Sequence, residues 1–303
     1  MTWLILGVFV LLALFSGSLQ ASCYGVVTAG GGANYWQQVV KGAQTAAKEI
    51  DIAIITRGIA DERNDEAQAL IIESMRQKGC TGFLLAPSST ALLDTVTQYK
   101  SIGIPIVFVD RDMGGDRAAV LKTNNYRAGQ LAANQMAHQL APGAKVGVFR
   151  THQLDKTVAA RVAGFIDTAN DMGIDVVFNE LIGTEIGEAR SNINKLLLEH
   201  PAVDGLFSPN ENSTVATIAS LDGWQNNSRP VHIGFDSNRY IVKALIAGKL
   251  AGFVVQDPYR MGYDGIKTLH RIRLAQAVEE HTDIPAVFVN RDNYQSAGIA
   301  AKL

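Results

Sequence analysis

Residues Ile104-Pro-Ile-Val-Phe-Val-Asp110-Arg111 decide how this chain folds. Pro105 enters a run rich in β-branched side chains, and no polar residue appears before Asp110. An apolar run of this kind reads as a strand covered on both faces, as in a parallel sheet. The polarity then changes abruptly, with two opposite charges where the strand should end. In open α/β sheets ligands bind in the crevice beyond the carboxyl ends of the strands. Asp110 is therefore placed to accept hydrogen bonds from ligand hydroxyls, and Arg111 offers a planar fork of donors. A single pair of this kind is more often a surface ion pair. What raises its standing is company at the ends of other strands.

Outward from this stretch the chain alternates short apolar runs with longer amphipathic ones. Towards the N-terminus, strands are expected at Tyr24–Thr28, Ile52–Thr56 and Thr81–Ala86. The helices between them start near Asn34, which can cap, near Asn64, and at Ser88 or Ser89. Beyond Asp110, Ala118–Lys122 reads as a short strand, and Thr123-Asn-Asn125 as the turn into a helix reaching Leu140. The alternation then restarts, with strands at Lys145–Arg150, Ile174–Asn179, Val203–Phe207, Val231–Phe235 and Ala251–Val255. Helices are expected near 156–171, 187–199, 212–224 and 238–247, then from Arg260 to Ala277 ahead of a strand at Ala286–Asn290. Regular strand–helix alternation implies parallel sheets wrapped by helices. A length of 303 residues suggests about two such units, and no low-complexity linker separates them.

The charge balance is near neutral, with 27 Lys and Arg against 29 Asp and Glu. The only basic cluster is the short His270-Arg-Ile-Arg273, which argues against nucleic acid as a partner. The first 22 residues carry no charged side chain, and Leu4 to Phe15 is apolar apart from Gly7. That is the form of a secretory signal cleaved after Ala21 or Ser22. The run is short against the ~20 residues that span a bilayer. The mature protein is thus expected outside the cytoplasm.

Cys23 and Cys80 each stand just before an expected strand. If those strands are parallel neighbours, both thiols lie at one end of the sheet and can pair. The alternatives are two free thiols, or a lipid-anchored Cys23. Lipidation ranks below the disulfide, because Gln20-Ala-Ser-Cys23 lacks the usual apolar residue three before the Cys.

Motifs for catalysis are missing. Tyr35 stands where a dinucleotide loop beginning at Gly30 needs a small residue. There is no phosphate-binding loop and no nucleophile elbow. His138, His152, His200, His232, His270 and His281 are scattered, with no pair at metal-ligand spacing. No cofactor or metal is expected, and an enzyme is disfavoured.

Polar residues recur instead at the strand ends: Asp110 and Arg111, then Asn210, Asp236 and Gln256. Arg161, early in its helix, opposes the helix dipole, so something other than helix stability accounts for its place. Tyr35-Trp36 opens the first helix at the same end of the sheet. Aromatics there are as often core packing as function; in function they would cover the apolar face of a sugar ring. Singly each polar residue is more often a cap. Together they form a ring of carboxylate, amide and guanidinium groups suited to vicinal hydroxyls.

With these residues in view, the chain resembles the periplasmic sugar-binding proteins of the ribose-binding type, which share the ligand-binding fold of LacI-like repressor cores. The resemblance runs from Tyr24 to about Val289. It rests on Val40-Lys-Gly-Ala-Gln44, Ile104-Pro-Ile and Val109-Asp-Arg111, Ala160-Arg-Val-Ala-Gly-Phe165, Gly234-Phe-Asp236 and Gly252 with Gln256-Asp-Pro258. It implies ligand contacts at Tyr35, Trp36, Asp110, Arg111, Arg161, Asn210, Asp236 and Gln256. Two departures bear on ribose itself: Ala33-Asn34 replaces the family's usual Asn and Pro, and an aromatic of the second lobe is replaced near Ile186.

The expected architecture is α/β: two similar Rossmann-like lobes with parallel sheets, joined by a three-crossover hinge near 123–125, 256–258 and 283–286. A signal peptide occupies 1–22. The N-terminal lobe is 23–123 plus 257–284, and the C-terminal lobe 124–256 plus 285–303. The resemblance implies a periplasmic monomer that closes on a pentose or hexose. Its membrane partners would be the permease and ATPase of an ABC importer. The alternative is a sensing subunit for a chemoreceptor or sensor histidine kinase. A repressor core would need a DNA-binding segment before Tyr24, where only the apolar leader stands.

Overall fold

Every strand of the two sheets but one runs toward the seam between two lobes, and this orientation places the site. The structure is a computed structural model that describes residues 22–30, 34–60, 64–151, 156–224, 229–300 and 302–303, without the side chains of Asn34 and Asp65. Apart from Ser22 the apolar leader lies outside the described residues, as do positions 31–33 of the glycine turn.

The first lobe is built from β1 (Cys23–Thr28), α1 (Asn34–Glu49), β2 (Ala53–Gly58), α2 (Asp65–Gln77) and β3 (Cys80–Leu85). A 3-10 turn, Thr90–Leu92, then leads into α3 (Leu93–Ser101), followed by β4 (Ile106–Val109) and β5 (Ala119–Lys122). Next come α4 (Asn125–Ala137), β6 (Lys145–Arg150), α5 (Lys156–Asp171), β7 (Asp175–Leu181) and α6 (Ile186–Glu199). The second lobe continues with β8 (Gly205–Phe207), α7 (Glu211–Leu221), β9 (Val231–Phe235), α8 (Arg239–Ile246) and β10 (Gly252–Val255). The chain ends through α9 (Pro258–Arg273), β11 (His281–Asp283), β12 (Val287–Val289) and the short α10 (Ala297–Ala300).

The strand orders are β11-β5-β4-β3-β1-β2 and β12-β10-β9-β8-β6-β7, the same topology twice. The lobes also exchange helices. Leaving β5, the chain passes to α4, which packs on α5, β9, β10 and β12 of the other lobe. Leaving β10, it passes to α9, which packs on α1, β3, β4 and β5. Asn124 and Asp257 cap these two helices at Arg127 N and Arg260 N. The exchanged helices lie close because glycines face carbonyls: a Cβ on Gly262 would strike the Val39 oxygen, and one on Gly129 the Arg161 oxygen.

Four details differ from the sequence expectation. β11 was not foreseen, since His281-Thr-Asp283 carries no apolar pattern; it adds at the edge beside β5. β12 is antiparallel to β10. The chain passes from β11 straight into the second lobe with no returning helix, so it enters that sheet from the seam. The last helix begins two residues earlier, with Pro258 at its first position, and stops at Arg273. Ala275 just beyond is left-handed, at φ 55°, which ends the helix. The helix foreseen after Pro87 is divided: Ser89 caps the 3-10 turn through Ala91 N, and the α-helix proper starts at Leu93.

Apolar clusters cover both faces of each sheet. In the first lobe Val26, Leu84 and Val107 face α1 and α9, while Val27, Phe83 and Phe108 face α2 and α3. In the second lobe Phe165 stacks on Phe207 at 4.3 Å between ring centroids. Burying one such Phe contributes roughly 1.5–3 kcal/mol. Cys23 and Cys80, first residues of neighbouring parallel strands, form a disulfide, so neither sulfur is free. The bond lies at the end of the sheet remote from the seam. The C-terminal segment packs by Ile299 and Leu303 on the second lobe, and Lys302 pairs with the Asp257 carboxylate beside the seam.

Candidate ligand-binding site

Asp110 and Asp236 directly follow β4 and β9, the third strand from the same edge in each sheet. Each is left-handed, at φ 67° and 63°, a conformation that Asp tolerates better than most residues. Their backbone N–H groups donate to Leu121 and Val254 on the next strand, at 2.9 and 2.8 Å. The ladder thus carries one residue past the strand and turns each carboxylate out of the sheet at the seam.

In the first lobe the Tyr35 hydroxyl donates to Asp110 Oδ1 at 2.5 Å and meets Met261 Sδ at 3.4 Å. Arg111 Nε stands 3.6 Å from the other oxygen, Oδ2. Burial first, and then the Asp110 charge, raise the Tyr35 phenol well above its usual pKa, so it remains a donor. Trp36 is 5% exposed and packs with Val39 and Met261 in the lobe core. Its ring meets Tyr35 edge-on at 5.0 Å, and the Arg111 guanidinium lies 5.7 Å from its centroid.

In the second lobe Gln256 Nε2 donates to Asp236 Oδ1 at 2.8 Å, and Arg161 Nη1 stands 4.0 Å from Oδ2. Burial raises the Asp236 carboxyl above the usual aspartate range, against the lowering effects of Arg161 and Gln256. Arg161 is 4% exposed. It donates through Nε to Asn125 Oδ1 at 2.8 Å and through Nη1 to the Pro209 carbonyl at 2.9 Å, and lies 3.9 Å from the Phe235 ring centroid. Gln256 Oε1 is buried and accepts no hydrogen bond from the described residues. Unsatisfied buried acceptors are rare and costly, so this one invites a donor from outside.

The structure therefore gathers Tyr35, Asp110 and Arg111 in one lobe, and Arg161, Asp236 and Gln256 in the other. The two groups are near enough that the charges of Asp236 and Arg161 act on the Tyr35 phenol. Asn210 occupies the cap position of α7: its Oδ1 accepts from Ser213 N at 3.0 Å, and its Nδ2 donates to Thr151 Oγ1 at 3.1 Å. Ile186 is exposed at the start of α6. Sequence reasoning passed over Asn125 and Met261. Asn125, a polar residue at a helix start, reads as a surface residue and Met261 as plain core, and only the exchange of α4 and α9 brings these two to the seam. Among the described residues no group of three or more His, Cys, Asp or Glu could hold a metal.

Two lobes of one topology, with acid, amide and guanidinium groups turned toward a shared seam, define a cleft-type ligand-binding protein. The chain belongs to the family of the periplasmic binding protein domain, which residues 24–277 match. The ribose import binding protein of Bacillus subtilis is 25% identical over 231 residues, covering 75% of this chain and 74% of that protein. A carbohydrate transporter solute-binding protein from Agrobacterium radiobacter, in complex with D-arabinose, superposes with a TM-score of 0.84 at 25% identity, covering 94% of this chain and 99% of that one. An ABC transporter solute-binding protein from Agrobacterium vitis with bound D-fucose gives 0.84 at 26% identity, covering 92% and 99%.

Proposed function

We propose that this chain is an extracytoplasmic solute-binding protein that takes a monosaccharide, a pentose or hexose, between its lobes and delivers it to an ABC importer. The observation that carries the proposal is the matched pair of carboxylates. Asp110 and Asp236 each keep an oxygen beside a guanidinium group, and Gln256 Oε1 lacks a donor among the described residues. Charged groups withdrawn from water must have their hydrogen-bonding capacity filled. A neutral polyol fills it, because each hydroxyl both donates and accepts. Asp110, Arg111, Arg161, Asp236 and Gln256 are the proposed polar contacts, with Asn210 adding its second amide hydrogen and the Tyr35–Trp36 corner forming a wall.

The sugar-binding relatives support the ligand class and the transport role. The moving bodies are proposed as 23–123 plus 257–284 against 124–256 plus 285–303, turning on the three crossovers as the cleft closes. The disulfide suits an oxidising compartment, which supports the periplasm as the place of work. The protein is proposed to act as a monomer and to release its ligand unchanged.

Mass spectrometry of small molecules released on denaturing the purified protein, followed by titration calorimetry with the sugar found, tests this reading. One sugar per chain, bound and recovered unaltered, is the expected result. A non-sugar ligand, or turnover of the sugar, would overturn it.

A further inference from the structure

We propose that Asn125 is a positioning residue for ligand binding: it holds the Arg161 guanidinium in its setting beside Asp236 by bridging it to the backbone of the first crossover. The proposal rests on the reading of the cleft as a sugar site with Arg161 among its contacts. It adds the residue through which Arg161 is aimed.

Asn125 is 9% exposed and opens α4. The cap of that helix is already made by Asn124, whose side chain accepts from Arg127 N, so capping leaves the Asn125 amide unexplained. Its Oδ1 accepts from Arg161 Nε at 2.8 Å, and its Nδ2 donates to the Thr123 carbonyl at 3.1 Å. An arginine only donates and a carbonyl only accepts, so both ends of the amide are fixed in orientation. An aspartate in its place would keep the acceptor and lose the donor.

Arg161 is held a second time through Nη1, which donates to the Pro209 carbonyl at 2.9 Å and stands 4.0 Å from Asp236 Oδ2. A planar guanidinium pinned at Nε and at Nη1 cannot swing, and its direction toward Asp236 is set. The helices that carry Asn125 and Arg161 are locked together as well: a Cβ on Gly129 would strike the Arg161 oxygen, and one on Gly164 the Tyr126 oxygen.

Thr123-Asn-Asn125 and Gln256-Asp-Pro258 are equivalent crossovers, each a residue after the strand, a cap and a first helical residue. The second crossover has proline where the first has Asn125, so the turn itself does not require an amide there. What the two share is an amide sent to the same charge pair. Gln256 Nε2 donates to the acid, Asp236, at 2.8 Å, and Asn125 Oδ1 accepts from the base, Arg161.

The test is a double-variant cycle read by titration calorimetry on the full chain, freed of ligand by unfolding and refolding. The probes are D-ribose, D-arabinose, D-galactose and D-fucose, with any sugar that the purified protein releases. Asn125→Ala removes both ends of the bridge, Asn125→Asp keeps the acceptor that Arg161 uses, and Arg161→Met removes the guanidinium. For a probe that binds the parent, Asn125→Ala should weaken affinity about tenfold or more, and Asn125→Asp should recover part of that loss. In the Arg161→Met background Asn125→Ala should weaken it less than about threefold, because no guanidinium is left to aim. A role confined to the fold would instead weaken both backgrounds alike. Equal losses in the two backgrounds, no recovery in Asn125→Asp, or parental affinity in Asn125→Ala would overturn the role of Asn125 and leave the sugar site standing. A parent that binds none of these sugars would overturn the site itself and the proposal with it. Where Asn125→Ala does not fold or Arg161→Met does not bind, the Arg161 Nε–H nuclear magnetic resonance signal of the parent decides, assigned by its absence from Arg161→Lys. Slow exchange with solvent and a shift on sugar binding are expected, and rapid exchange or an unmoved signal would overturn the proposal.

Discussion

Asp110 and Asp236 are equivalent residues of two lobes, each left-handed, each with Oδ1 held by an uncharged protein donor and Oδ2 facing an arginine. The left-handed conformation costs an L-residue roughly 1–2 kcal/mol, and here it appears twice at the same station. A strand end alone does not require it. What it achieves is direction: both carboxylates leave their sheets toward the seam.

Replacing Asp236 with Asn tests the charge separately from the shape, since Asn has similar size and also tolerates a left-handed backbone. Hydrogen bonds to charged groups contribute about 1.5–3 kcal/mol, so affinity for the identified sugar should fall by about ten- to a hundredfold. Burial already raises the Asp236 carboxyl pKa, so the charged form is disfavoured in the folded protein. The ligand-free variant should therefore melt no lower than the parent. Calorimetric titration beside apo melting curves checks both halves, and unaltered affinity would remove Asp236 from the site.

Both aspartates were legible in the sequence because an apolar strand stops abruptly at a charge. Arg161 was legible as a cation set against its helix dipole, but its main partners were not. The Pro209 carbonyl and Asn125 reach it only through tertiary packing, across 48 and 36 residues of chain. Trp36 was ambiguous between stacking and core, because an aromatic at a helix start suits either. Asn210 follows the local rule for a cap, with Ser213 returning the bond in a capping box. β11 was illegible because three polar residues become a strand only when β5 offers an open edge.

Arg161 ties together three elements, so its removal should affect the fold as well as the ligand. Arg161→Ala leaves Asn125 Oδ1 and the Pro209 carbonyl without their donor, and Asp236 without its cation. Breaking a buried charged network of this kind costs about 2–4 kcal/mol. Urea denaturation of the ligand-free protein should show that loss, with partial recovery in Arg161→Lys. Unchanged apo stability would mean that the three contacts are energetically idle.

The disulfide should matter for stability and not for binding. Its cysteines are 57 residues apart, and closing a loop of that length restricts the unfolded chain by an amount equivalent to about 4 kcal/mol. The bond sits at the start of β1 and β3, whereas the site lies beyond the strand ends, roughly 20 Å away along six-residue strands. The Cys23→Ala, Cys80→Ala double variant should lose about 2–4 kcal/mol in denaturant unfolding and keep its sugar affinity within twofold. A large loss of affinity would show that the remote end of the sheet shapes the cleft.

His232 gives the fold a sensitivity to acid that is separate from the site. It lies in β9 at 1% exposure, with Nε2 2.9 Å from Ser208 Oγ and Nδ1 lacking a partner among the described residues. Burial first, and then the Arg229 charge, lower its pKa to about 3. An unfolded histidine takes up its proton near pH 6.5, so between there and about 3 the unfolded chain binds more protons than the folded one. The stabilising contribution is therefore complete above pH 6.5 and is lost progressively toward 3. At roughly 1.4 kcal/mol per pKa unit the whole loss, over about 3.5 units, is on the order of 5 kcal/mol. His232→Asn should be less stable than the parent at pH 7, because a packed ring is gone, and the gap should close as the pH falls to about 4. Urea unfolding followed by circular dichroism across that range measures the two slopes. Parallel slopes would mean that His232 takes up a proton in the folded state as readily as in the unfolded chain.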